Sequence, residues 1–252
     1  MRDSYWFLTI TILILAPRII SELLFRLTSL KMIWVFRIID IFDITLQTIS
    51  LFVLILYVFH RYIYGRSEKE LIIYLVLSAL LIGGHFMHFA ANAIDMHYRE
   101  AIGIETEENM PTTAYILLHF LDEYLSHIIL FTAMILIFLY GGILDMQKEQ
   151  MNATGIDKII TILSGFILGG SLGISGVEAS IPIYMIAISA LCIGIIIYKK
   201  IKMDRQIKGL SQYLFTLFVL ITLAMIIFAI SLYLLILGTQ SPRELIGGII
   251  SQ

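Results

Sequence analysis

The sequence predicts an all-α polytopic membrane protein with seven transmembrane helices in one bundle. Three observations lead there. Of 252 residues, 59% are hydrophobic, against roughly 45–50% in a soluble domain. The mean hydropathy is +0.93. The apolar residues come in blocks long enough to cross a bilayer, which takes about 20 residues of helix. The blocks fill most of 1–252, which reads as a single transmembrane helical domain with no room for a soluble one.

The first span is expected over about 4–26, bent near Pro17. It faintly resembles a signal peptide, but no small-residue cleavage pattern follows the apolar core, so a retained helix is expected. The second span covers about 32–63, and the third runs from 69 to about 99. The fourth starts after Pro111 and ends near Met146. The fifth covers about 156–177, the sixth about 181–200 and the seventh about 210–238.

Lys and Arg concentrate in cytoplasmic loops. The 199–208 connection carries Lys199, Lys200, Lys202, Arg205 and Lys208, and is expected inside. Counting back puts 146–156 and 61–70 inside, and the 100–111 loop, with four glutamates and no Lys or Arg, outside. The N-terminus is then cytoplasmic and the C-terminus outside. Arg18, Arg26, Lys31 and Arg37 break this pattern. Either the first two helices are arranged differently, or these charges pair internally with Glu22, Asp40 and Asp43.

The net charge of −2 and the lack of a long basic run give no sign of nucleic acid as a partner. The lone Cys192 cannot form an internal disulfide and reads as packing. Gly165, Gly169 and Gly173 recur at the spacing that lets helices approach closely. Asn152-Ala153-Thr154 matches a glycosylation sequon but falls on the expected inside, so it reads as chance.

The third span ends in GGHFMHFAANAIDMH, residues 83–97. At about 100° per residue, His85, His88, Asn92 and Asp95 fall within about 80° of arc. His97 points elsewhere, to the surface. The fourth span carries LLHFLDEYLSHII, where His119, Asp122, Glu123, Ser126 and His127 make a broader stripe on one side. An antiparallel pair of helices brings both stripes to one depth, in the outer half. Asp40, Asp43 and Gln47 of the second span reach a similar level, with Arg37 nearby. An ionised group at mid-bilayer costs about 2.5–3.5 kcal/mol on insertion scales. These residues must therefore face each other, water or a metal.

Metal uses most of these residue types. Imidazoles ligate zinc, iron or copper, and carboxylates complete such sites. His85, His88, His119 and His127 are the expected ligands of a divalent transition metal, zinc first, with iron or copper as alternatives. Asp122, Glu123 and Asp95 are candidates for a general base, for further ligands or for partners of Arg18 and Arg37. Asn92 and Ser126 read as supporting hydrogen-bonders. His60, beside Arg61 at a helix end, reads as a snorkelling interfacial residue. The bland alternative is a polar core that locks the helices together.

Seven spans with a few intramembrane histidines, an aspartate and a serine resemble the CREST superfamily, which includes alkaline ceramidases and the progestin and adipoQ receptors. That resemblance implies zinc held by three histidines near one membrane face and hydrolysis of a lipid amide. The family has a Ser-x3-His on an early helix and a His-x3-His on a late one. Here the histidine stripes lie on the third and fourth spans, and the last three spans hold none. Membrane di-iron hydroxylases and desaturases offer a second analogy, although their HxxHH forms are absent.

The leading expectation is a membrane-embedded metal-dependent enzyme acting on a lipid or other apolar substrate. A zinc-type hydrolase and an iron or copper oxidase both fit. A proton- or ion-coupled transporter is the second class, since intramembrane His, Asp and Glu mark such pathways. The polar residues crowd into one half, which favours a site open to one side. The third class is a non-catalytic subunit of a larger membrane complex, binding haem through a histidine pair.

Overall fold

The computed structural model describes the backbone of residues 3–28, 32–33, 36–102, 112–148, 153–204, 209 and 212–237. Within these it describes all side chains except those of 17–43, 95–102, 112, 114–115, 123 and 204. Among the described residues, seven helical rods follow one another. They are α1 (Asp3–Thr28), α2 (Ile38–Val58, continued by a π-helical turn Phe59–Ile63) and α3 (Glu68–Ile102). Next comes α4, which joins Thr112–His119, a π-helical stretch Phe120–Ser126 and His127–Asp145. Then follow α5 (Gly155–Glu178), α6 (Pro182–Asp204) and α7 (Leu214–Leu237).

Among the described residues, six helices are long and apolar enough to cross a membrane, and α1 adds a shorter apolar stretch, Asp3–Ala16. The outer surface is apolar as well: Ile183 is 77% and Leu235 82% exposed. Apolar exposure on this scale marks a surface that meets lipid or protein rather than water.

The second span starts later than its apolar run suggests. Met32–Ile33 (β1) pairs antiparallel with Phe36–Arg37 (β2), and helix begins only at Ile38. The stretch MIWVFR is rich in β-branched and aromatic residues, which favour extended backbone. α1 continues through Pro17 to Thr28.

The most extensive contact joins α5 to α7. A Cβ on Gly165 would lie 2.9 Å from the Phe218 carbonyl oxygen, and one on Gly173 would lie 3.0 Å from that of Ile226. The helices meet backbone to backbone there, as the four-residue glycine spacing predicts. Cys192 is buried in the core as expected.

Around α7 sits an aromatic cluster. Phe7 stacks on Phe218 at 5.0 Å between ring centroids, and Tyr62 lies 5.0 Å from Phe215. Hydrogen bonds fix α1 against its neighbours. Ser4 Oγ donates to Asp157 Oδ1 at 2.8 Å, and Ser50 Oγ reaches the Leu13 carbonyl at 2.5 Å.

Thr154, the last residue of the sequon, caps α5. Its hydroxyl accepts from the Asp157 backbone N–H at 3.3 Å, and Asp157 Oδ2 accepts from the Thr154 N–H at 3.1 Å. This capping box satisfies donors that every helix start leaves open. Asp157→Ala removes the carboxylate half of the box and the bond from Ser4 together. It is expected to cost about 1–2 kcal/mol, measured as a lower melting temperature in detergent. An unchanged melting temperature would show that the cap is dispensable.

Candidate functional site

Two backbone features of α3 and α4 place the histidines. The first is Gly84. A Cβ there would stand 2.8 Å from the Leu130 backbone nitrogen and 3.1 Å from its Cα. The bare glycine thus lets α3 lie directly on the α4 backbone. His88 is one helical turn further along the same face of α3. Because the helices run antiparallel, it meets the α4 turn just before Leu130.

The second feature is the π-helical stretch Phe120–Ser126. In a π-helix, backbone bonds run from i to i+5, so residues five apart share a face. Asp122 and His127 are five apart. In a regular α-helix they would be about 140° apart. Here both reach His88. Asp122 Oδ1 is 2.6 Å from His88 Nδ1, and the His127 ring centroid is 4.4 Å from that of His88. The 2.6 Å contact has ion-pair length but lies off the hydrogen-bond direction.

On the other side of the ring, Asn92 Nδ2 is 3.4 Å from His88 Nε2. Ser126 is fully buried, and its hydroxyl donates to the Asp122 carbonyl. His127 stacks on Phe131 at 5.9 Å. Asp122 is 8% exposed, so the acid is largely withdrawn from solvent.

Thus His88, Asp122 and His127 come together, with Asn92 and Ser126 in supporting contacts. His85 does not join them. It is buried, and its Nε2 lies 3.1 Å from Thr48 Oγ1 on α2. The sixty or so degrees between His85 and His88 on α3 are enough to give them different neighbours. The His119 ring lies 5.8 Å from that of Tyr124. The expected convergence of His85, His88, His119 and His127 on one point is therefore not what these residues form. Among the described residues, no three His, Cys, Asp or Glu side chains are grouped to hold a metal ion. The side chains of Asp95, Glu123, Asp40, Asp43, Arg18 and Arg37 lie outside the described residues, as does that of His97.

The opposite end of the bundle holds a polar cluster that hydropathy conceals. Arg61, in the π-helical turn closing α2, pairs with Asp3 at 2.9 Å. Asp145 Oδ2 accepts from the Thr216 backbone N–H at 3.0 Å and from its hydroxyl at 3.2 Å. The Tyr62 hydroxyl is 3.4 Å from Asp145 Oδ1. Lys148 lies over the Tyr62 ring at 4.1 Å and donates to the Arg61 carbonyl. Burial pushes the Lys148 ammonium below its ordinary pKa, and neighbouring Arg61 adds to the effect. These residues lie at or near the ends of the apolar runs, where sequence reading gives them no shared role. His60 is exposed, as an interfacial residue would be.

Comparison with protein-family models, curated proteins and solved structures finds no match to this chain.

Proposed function

We propose that the chain is an integral membrane protein with an intramembrane acid–base centre. His88 Nε2 is its proton acceptor and Asp122 the group that orients the imidazole, and the centre serves an enzyme acting on a lipid or other apolar substrate. The observation that carries this reading is the 2.6 Å contact of Asp122 Oδ1 with His88 Nδ1. A carboxylate oxygen that close repels a bare nitrogen lone pair and attracts an N–H, so the proton belongs on His88 Nδ1, and a small turn of either side chain brings it onto the hydrogen-bond line. That leaves Nε2 as the basic nitrogen, on the side where the Asn92 amide stands. An acid that fixes the tautomer of a histidine base is a recurrent arrangement in catalysis.

The Lys and Arg of the connections at 61–70 and 199–208, with Lys148 between them, support a cytoplasmic placement of their end and an outside placement of the histidine end. The C-terminus is then outside. Zinc, iron or copper is not part of this reading. Two ligands of one tetrahedral zinc, with bonds near 2.0–2.1 Å, sit about 3.3 Å apart. The 2.6 Å contact is too short for His88 Nδ1 and Asp122 Oδ1 to be such a pair.

The test is nitrogen-15 NMR of histidine-labelled protein in nanodiscs, together with metal analysis. His88 is expected to carry its proton on Nδ1. Asp122→Asn should weaken that preference about tenfold, given roughly 1.5–3 kcal/mol for a hydrogen bond to a charged group. A His88 tautomer indifferent to Asp122→Asn would sink the proposal. One zinc or two irons per chain would replace it with a metal centre.

A further inference from the structure

We infer that the π-helical turn Phe120–Ser126 is the positioning element of the His88 centre. The inference rests on the acid–base reading but concerns a different feature of the chain, the backbone that builds the site.

The argument starts from spacing. His127 opens the regular part of α4, Asp122 lies five residues before it, and both face α3. A regular helix brings residues four apart, not five, onto one face. The extra residue in the turn is therefore what lets this particular pair meet His88. The Ser126 hydroxyl bonds the carbonyl four residues back, as Ser50, Thr132, Thr161 and Thr222 do in regular helices of this chain, so that bond is not what sets the turn.

Two deletions separate the geometry from the loss of a side chain. Each removes one leucine from the same turn and lets α4 close into a regular helix. Deleting Leu121 leaves Asp122 and His127 five apart, so they turn away from each other by about 140°. Deleting Leu125 makes them four apart, which restores a shared face. The readout is the Nδ1-to-Nε2 proton ratio of His88 by nitrogen-15 NMR. Thermal unfolding in detergent confirms that both variants fold.

Deletion of Leu121 is expected to lower the ratio at least fivefold, and deletion of Leu125 to leave it within twofold of the parent. Should either deletion fail to fold, backbone NMR of the parent decides: a regular α-helix over 120–126 with the His88 Nδ1 preference intact would overturn the inference. Equal ratios in the two deletions would overturn it as well. A ratio that responds to Asp122→Asn but not to deletion of Leu121 would sink only the role of the turn. A ratio that ignores Asp122→Asn would sink the acid–base reading itself.

Discussion

Gly169→Ala is expected to lower the melting temperature in detergent by several degrees, while Gly170→Ala leaves it unchanged or raises it. The two glycines are neighbours on α5 with opposite surroundings. A Cβ on Gly169 would lie 2.3 Å from the Thr222 carbonyl oxygen and 2.7 Å from Met225 Cβ. Neither atom is the far end of a flexible side chain, so α7 itself must move. A Cβ on Gly170 meets nothing within 4 Å. Alanine favours a helix over glycine by about 0.5–1 kcal/mol, and that gain is all that Gly170→Ala experiences. Gly169→Ala sets the same gain against overpacking of about 1–3 kcal/mol or more. Gly165 and Gly173 make close approaches on the same seam, so the strain has no slack on either side. In a chain of this length 1 kcal/mol moves the melting temperature by about 2–4 °C. Equal melting temperatures for the two variants would show that the seam gives way without cost.

The same seam shows what hydropathy and spacing make legible. Glycines four apart in an apolar run announce a helix contact, and the contact is there. The apolar blocks themselves announce the helices, because length and hydrophobicity alone decide whether a segment can cross a bilayer. The depth match of the third and fourth spans is legible too, since antiparallel neighbours fix it, and His88 does meet Asp122 and His127.

What is not legible is rotation. Placing His119 and His127 at about 100° per residue assumes a regular helix, and Phe120–Ser126 is not one. No residue in FLDEYLS announces the extra residue in the turn. His85 fails for a related reason. The spacing puts its stripe on a single face, yet the helix meets α4 on one side and α2 on the other, and Thr48 takes the ring. The polar cluster around Asp145 and Arg61 hides differently. Its members come from α1, α2, α4 and α7, so no local window contains more than a fraction of them.

Gly84→Leu is expected to dismantle the histidine centre, and Gly83→Leu to leave it intact. Gly84 is where α3 rests on α4, with the Leu130 nitrogen 2.8 Å and Ile129 Cγ2 3.1 Å from the place of a Cβ. The first of these is backbone, which cannot swing aside. A leucine there must push the helices apart, at a cost in the range of overpacked cores, about 1–3 kcal/mol or more. The displacement acts one turn away, where His88 and Asp122 stand 2.6 Å apart. A separation of even about 1 Å takes that contact beyond the 2.7–2.9 Å of a charge-assisted hydrogen bond. Gly83 has nothing within 4 Å of its Cβ position, so a leucine there adds an apolar side chain to an open face. Gly84→Leu should therefore lose the His88 Nδ1 preference as fully as Asp122→Asn does, with a lower melting temperature as well. Gly83→Leu should keep both at parental values, since it changes neither the helix contact nor the ring's neighbours. If both leucines disturb the tautomer alike, close approach at Gly84 is not what brings His88 to its acid.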